Sequence, residues 1–152
     1  MNKAKRFLTM LLVAISVFAL AVPAFASTED TIDTISVGSN YTLGERREKS
    51  SSTAAYLYMV SAPTSHLYVQ LMGCNSQGSG TVNKTSYKDA EYEYTHAAYV
   101  ICRVDAKYSV HNSAYEDGYR NVRFNFKTIS GYSGRLTYQW SPDSSGTYIS
   151  AT

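Results

Sequence analysis

The sequence predicts an all-β protein: a single antiparallel β-sandwich, jelly-roll or immunoglobulin-like, with one disulfide, after a cleaved signal peptide. Three observations predict it. Apolar and polar residues alternate with period two in several segments. Turn-forming residues separate those segments. Two cysteines lie downstream of an export signal.

The export signal comes first. Residues 2–6 (NKAKR) are basic, and residues 7–22 (FLTMLLVAISVFALAV) are almost unbroken apolar. Pro23 ends the stretch, and Ala24-Phe25-Ala26 places small residues at −3 and −1 before Ser27. These are the three parts of a secretory signal, bacterial in style. The stretch is shorter than the ~20 residues of a spanning helix and lacks a basic stop-transfer cluster. No cysteine follows it for a lipid anchor, and no apolar segment lies near Thr152. The expected domains are therefore 1–26, the signal, and 27–152, one secreted domain with no stable membrane anchor.

Strands then follow in order. Segments 34–37 and 41–43 read as short strands, and 45–52, with its mixed charges and three serines, as a solvated loop. Segment 53–60 (TAAYLYMV) is apolar on both faces, as a central strand would be. In 66–72, Leu67, Val69 and Leu71 oppose His66, Tyr68 and Gln70. In 98–105, Val100, Cys102 and Val104 share the core face. Segment 107–111 is another short strand. In 119–129, Val122, Phe124 and Phe126 oppose Arg123, Asn125 and Lys127; in 135–140, Leu136, Tyr138 and Trp140 oppose Arg135, Thr137 and Gln139. Trp140 is placed in the core or at its edge. Segment 147–150 closes the series.

Turn chemistry suggests the connections. Ala62-Pro63-Thr64-Ser65 predicts a hairpin between 53–60 and 66–72, and Gly131-Tyr132-Ser133-Gly134 a second between 119–129 and 135–140. Asp117-Gly118 predicts a tight turn, and Gly78-Ser79-Gly80 a flexible loop. Segment 89–99 (DAEYEYTHAAY) reads either as a helical turn or two or as a strand or rim loop.

Cys74 and Cys102 are the only cysteines. In an oxidising compartment they predict one intramolecular bridge. Closing that loop would contribute roughly 3–4 kcal/mol.

Charge and motifs exclude more than they identify. Without Lys3, Lys5 and Arg6 the chain has 11 cations against 12 anions. That balance does not suit a nucleic-acid binder. Gly131-Tyr132-Ser133-Gly134 is one position short of a nucleophile elbow. There is no H-E-x-x-H, EF-hand loop or P-loop. Glu91 and Glu93 would lie about 6–7 Å apart on one strand face. That spacing fits a glycosidase pair, but their polar segment favours a solvated face. His96, His111 and Glu93 could form a metal site only if folding brings them together; surface roles are the simpler expectation. No enzyme activity, metal or cofactor is expected.

The tyrosines supply the binding hypothesis. All 14 fall after the signal. Tyr68, Tyr99 and Tyr119 join polar strand faces beside Asn121, Arg123 and Asn125, and these six are the candidate ligand-binding residues. Aromatic rings with amide and guanidinium neighbours are the material of sugar platforms and protein interfaces, although tyrosine is also a good strand former. The expected function is a secreted, non-enzymatic binding module whose partner is a glycan or a cell-surface protein. The alternative is a bacteriocin-like or toxin-like antagonist; an extracellular hydrolase ranks below both. In format, a signal before a small single-disulfide β-domain, the chain is similar to small secreted β-sandwich bacteriocins. No motif carries residue roles across.

Overall fold

The structure is a computed structural model that describes residues 30–88 and 94–152. The expected signal peptide and the carboxylates Glu91 and Glu93 lie outside those residues. Among the described residues there are strands and turns but no helix.

The described residues form twelve strands: β1 (Thr31–Val37), β2 (Thr42–Glu48), β3 (Ala55–Ser61), β4 (His66–Cys74), β5 (Val82–Asn83), β6 (Ser86–Lys88), β7 (Tyr94–His96), β8 (Val100–Arg103), β9 (Lys107–Val110), β10 (Asn121–Thr128), β11 (Gly134–Ser141) and β12 (Ile149–Ser150). One sheet runs β1-β11-β3-β9-β12. The other runs β2-β10-β4, and the far edge of β4 is shared by β5 and β8. Pairing is antiparallel except between β12 and β9. A separate ribbon joins β6 to β7.

The two sheets face each other across one apolar core. Leu57, Met59, Leu136, Tyr138 and Trp140 come from the first sheet; Leu67, Val69, Leu71, Val122, Phe124 and Phe126 come from the second. The alternation read from the sequence explains this, because every second residue of β4, β10 and β11 turns inward. Aromatic rings meet across the interface: Phe124 lies 5.1 Å from Trp140 edge-on, and Phe126 lies 4.7 Å from Tyr138. Trp140 is fully buried, and its indole N–H donates to Asp33 Oδ2 at 2.8 Å. Arg47 donates to the same carboxylate oxygen and to the Trp140 carbonyl, with its guanidinium 4.5 Å over the indole.

Three expectations are corrected. Neither predicted hairpin forms. β3 and β4 belong to opposite sheets, as do β10 and β11, so the turns at Pro63 and at Gly131–Gly134 carry the chain from one sheet to the other. Alternation reports which face a residue occupies but not which strand lies beside it. Segment 45–52 is not a solvated loop: residues through Glu48 form β2, and Lys49 is fully buried. Of the two readings of segment 89–99, the described part takes the strand, beginning with β7.

The third correction concerns the disulfide. Cys74 and Cys102 are both free and buried. β8 pairs with β4 so that Cys102 lies opposite Leu67, seven residues from Cys74 along β4. At ~3.3 Å per residue the separation is on the order of 20 Å. A bridge needs Cα atoms within ~7 Å. Cys102 also faces the core, whereas Cys74 lies on the opposite face, within the field of Arg46 and Arg123. Burial raises the pKa of both thiols, that of Cys102 most strongly, so both stay protonated and poorly nucleophilic.

Candidate functional site

Tyr68, Asn121, Arg123 and Asn125 lie on the outer face of the β2-β10-β4-β8 sheet with Tyr99 beside them, whereas Tyr119 packs on the core side against Gly73; the six fall into two groups along the sheet. Tyr68, Tyr99 and Asn125 come together at one end. Tyr119, Asn121 and Arg123 lie toward the other, where each is engaged in holding the fold.

At the structural end, Arg123 donates from Nε and Nη2 to the Gly44 carbonyl and from Nη1 to the Gly78 carbonyl. It ties β2 and the 75–80 loop to β10. Asn121 Oδ1 accepts from Arg46. The Tyr119 ring lies on Gly73, where a Cβ would sit 2.5 Å from ring carbon Cγ. Lys84 Nζ stands 5.0 Å from the same ring. Their donors and faces are occupied.

At the other end the register builds a platform. β10 sets Lys127 opposite Tyr68 and Asn125 opposite Gln70, and β8 sets Ile101 opposite Tyr68. Tyr99, just before β8, leans on Tyr68 with ring centroids 4.3 Å apart and planes tilted by 58°. It remains 43% exposed. Tyr41, ahead of β2, joins from the third side, with Lys127 Nζ 5.6 Å from its ring. The Tyr41 hydroxyl is held above its ordinary pKa by partial burial, and the Tyr99 and Tyr68 hydroxyls add to the shift. Three phenols therefore share one surface with an ammonium beside them.

Beneath them lies an amide relay. Gln70 Nε2 donates to the Ala98 carbonyl at 2.7 Å, which turns Gln70 Oε1 toward Asn125. Asn125 Nδ2 donates to that oxygen at 2.8 Å. The carbonyl of Ala98 can only accept, so it fixes the orientation of both amides. Asn125 Oδ1 is then left buried with no donor, in a side chain only 7% exposed. Leaving a buried acceptor unpaired costs about 1–3 kcal/mol. Tyr41 and Gln70 are not marked by the sequence as ligand-facing, whereas Lys127 belongs to the ligand-facing row of Arg123 and Asn125. Gln70 and Lys127 occupy the same polar rows as the candidates, and that shared parity was the signal available.

Among the described residues no three His, Cys, Asp or Glu side chains are placed to hold a metal. Glu93, the carboxylate of the considered metal site, lies outside those residues. His96 and His111 both line a cleft elsewhere in the fold.

Residues 15–144 match the model of a family described as a protein of unknown function, DUF2712. The chain belongs to the DUF2712 family. No curated protein matches this DUF2712 chain. Among solved structures it is similar to the crystal structure of the SPBc2 prophage-derived protein YomS, at 12% identity and a TM-score of 0.37. That likeness covers 73% of this chain and 96% of the other.

Proposed function

We propose that this DUF2712 protein is an exported, non-enzymatic binding module, and that the platform of Tyr41, Tyr68 and Tyr99 holds a carbohydrate. The observation that carries the proposal is the tilted, closely packed pair Tyr68 and Tyr99 on the outer face, beside the fixed amides of Gln70 and Asn125. Sugar rings present C–H faces that suit phenol rings, and hydroxyls that suit phenol, amide and ammonium groups at the edge. An apolar protein partner would need a continuous apolar patch, and here Lys127 and three phenol hydroxyls interrupt it. Export is supported by the tripartite segment 1–26.

The test is retention on insoluble polysaccharides and cell-wall preparations, with wild type compared against Tyr99→Ala and Lys127→Ala. Retention that Tyr99→Ala reduces about tenfold, with unchanged thermal stability, supports the platform. No retention of the wild type on any wall polymer or glycan array overturns it. Capture by a cell-surface protein, insensitive to added sugar, overturns the carbohydrate assignment.

A further inference from the structure

A cleft of about 690 Å³ opens on a different part of the molecule. One wall is the β6–β7 ribbon with Ser86 and His96. The floor comes from Ser109 of β9 and the segment after it, with His111, Asn112 and Glu116. The far wall is the 144–150 segment, including Tyr148 and Ser150. The volume falls within the ~300–1,000 Å³ of ordinary small-molecule sites.

The lining selects a ligand class by its chemistry. It contains no lysine or arginine, so it offers a phosphate or sulfate no permanent cation. Ala54 and the Tyr148 ring are its only apolar side chains, so an acyl chain would meet hydroxyl-bearing residues on most sides. The rest are hydroxyls, an amide, two imidazoles and one carboxylate, Glu116. Donors and acceptors thus alternate around one aromatic wall.

The walls are held in place before any ligand arrives. Tyr148 packs 4.7 Å from Tyr56, and its ring closes over Gly146, where a Cβ would sit 2.5 Å from it. His96 Nε2 is 3.1 Å from the Asn83 carbonyl. A carbonyl only accepts, so that nitrogen carries the proton and a neutral ring offers Nδ1 as an acceptor. His111 Nε2 is 2.9 Å from Ser150 Oγ. Asn112 is buried and uses both ends of its amide on its own loop, to the Val110 carbonyl and from the Ala114 N–H. Ser86 and Ser109 are buried polar side chains at the base. Preorganised walls lower the ordering cost of binding.

We infer that this cleft is a second ligand site, separate from the tyrosine platform, and that it takes a small neutral polyol such as a single sugar residue. The site goes beyond the proposed function and does not depend on it, since no residue is shared between the two surfaces.

The test is an amide chemical-shift titration of the labelled protein with glucose, galactose and N-acetylglucosamine in turn, and with inorganic phosphate as the anionic comparison. Saturable shifts confined to residues 86, 96, 109–116 and 144–150 are expected with at least one sugar. Glu116→Gln and His96→Ala should each weaken that binding about tenfold, while Tyr99→Ala leaves it unchanged. Three results overturn the assignment: no sugar shifts these amides, phosphate shifts them more than any sugar, or both cleft variants bind as wild type. Loss of wall-polymer retention in Tyr99→Ala with the cleft titration intact separates the two sites.

Discussion

Lys49 Nζ lies 3.1 Å from Asp143 Oδ1, and this pair joins the end of β2 in one sheet to the residues just after β11 in the other. Lys49 is 0% exposed, yet its ammonium is fully partnered, donating also to the carbonyls of Thr53 at 2.6 Å and Pro142 at 2.8 Å. Asp143 in turn accepts from the backbone N–H groups of Ser50 and Ser51 and from the hydroxyls of Ser50, Ser51 and Thr53. A buried charge is tolerable when every lone pair and proton is used.

Removing one partner should therefore be costly. Lys49→Met leaves Asp143 buried without its cation and is expected to lower stability by about 3–5 kcal/mol. Urea unfolding followed by circular dichroism checks it. Adding Asp143→Leu to Lys49→Met should recover part of the loss, because the stranded charge is gone.

The same pair sets the acid response. Burial alone would raise the Asp143 pKa, but the Ser50 amide, the Ser51 hydroxyl and Lys49 outweigh it and hold the carboxyl below its ordinary value. A depressed folded-state pKa gives stability that is present above the unfolded value, ~3.9, and is lost as pH falls through the folded one. Melting temperature should fall as pH drops below about 4. Asp143→Asn, less stable at neutral pH, should show a shallower decline. An identical acid slope in wild type and Asp143→Asn would count against this assignment.

Free, distant thiols make a redox prediction. The melting temperature should be the same with and without a reductant. Both cysteines should resist a thiol reagent in the native state and react in denaturant, with Cys102 the more protected. A mass consistent with an internal bridge would contradict the register of β8 on β4.

Close packing at Gly44 makes another. A Cβ there would stand 2.1 Å from Tyr138 Oη, with the buried ring behind it. Gly44→Ala should cost about 1–3 kcal/mol. Tyr138→Phe removes the obstructing oxygen, so the Gly44→Ala penalty should be smaller in that background. A double-mutant cycle by urea unfolding measures the difference.

The strands of the core were legible because burial on one face leaves a local imprint. Phe124 and Phe126 alternate with Arg123 and Asn125, and that pattern needs no knowledge of neighbours. Pairing leaves no such imprint: nothing near Pro63 records that β3 and β4 part company there. The Lys49–Asp143 pair spans nearly the whole domain, so a lysine read beside three serines looked solvated. Of the candidate site, Tyr68 and Asn125 were legible as polar-face residues in adjacent strands, and Tyr99 as one at the entry to the next strand. Asn121 and Arg123 share that parity but are consumed by Arg46 and by the carbonyls of Gly44 and Gly78. Side-chain parity cannot foresee loops folding onto a sheet. The cleft was missed because its walls come from four separate segments.

Because the connections at Pro63 and at Gly131–Gly134 carry the chain between sheets, few of its large strands can zip up with their immediate successors. β1 must wait for β11, with Ile35 meeting Leu136 only after nearly all of the intervening chain has emerged. Such distant partnerships make assembly slow, on the millisecond-to-second scale of other β-rich domains. A newly made chain thus passes through a lengthy period in which its apolar strands are available to chaperones, proteases and one another.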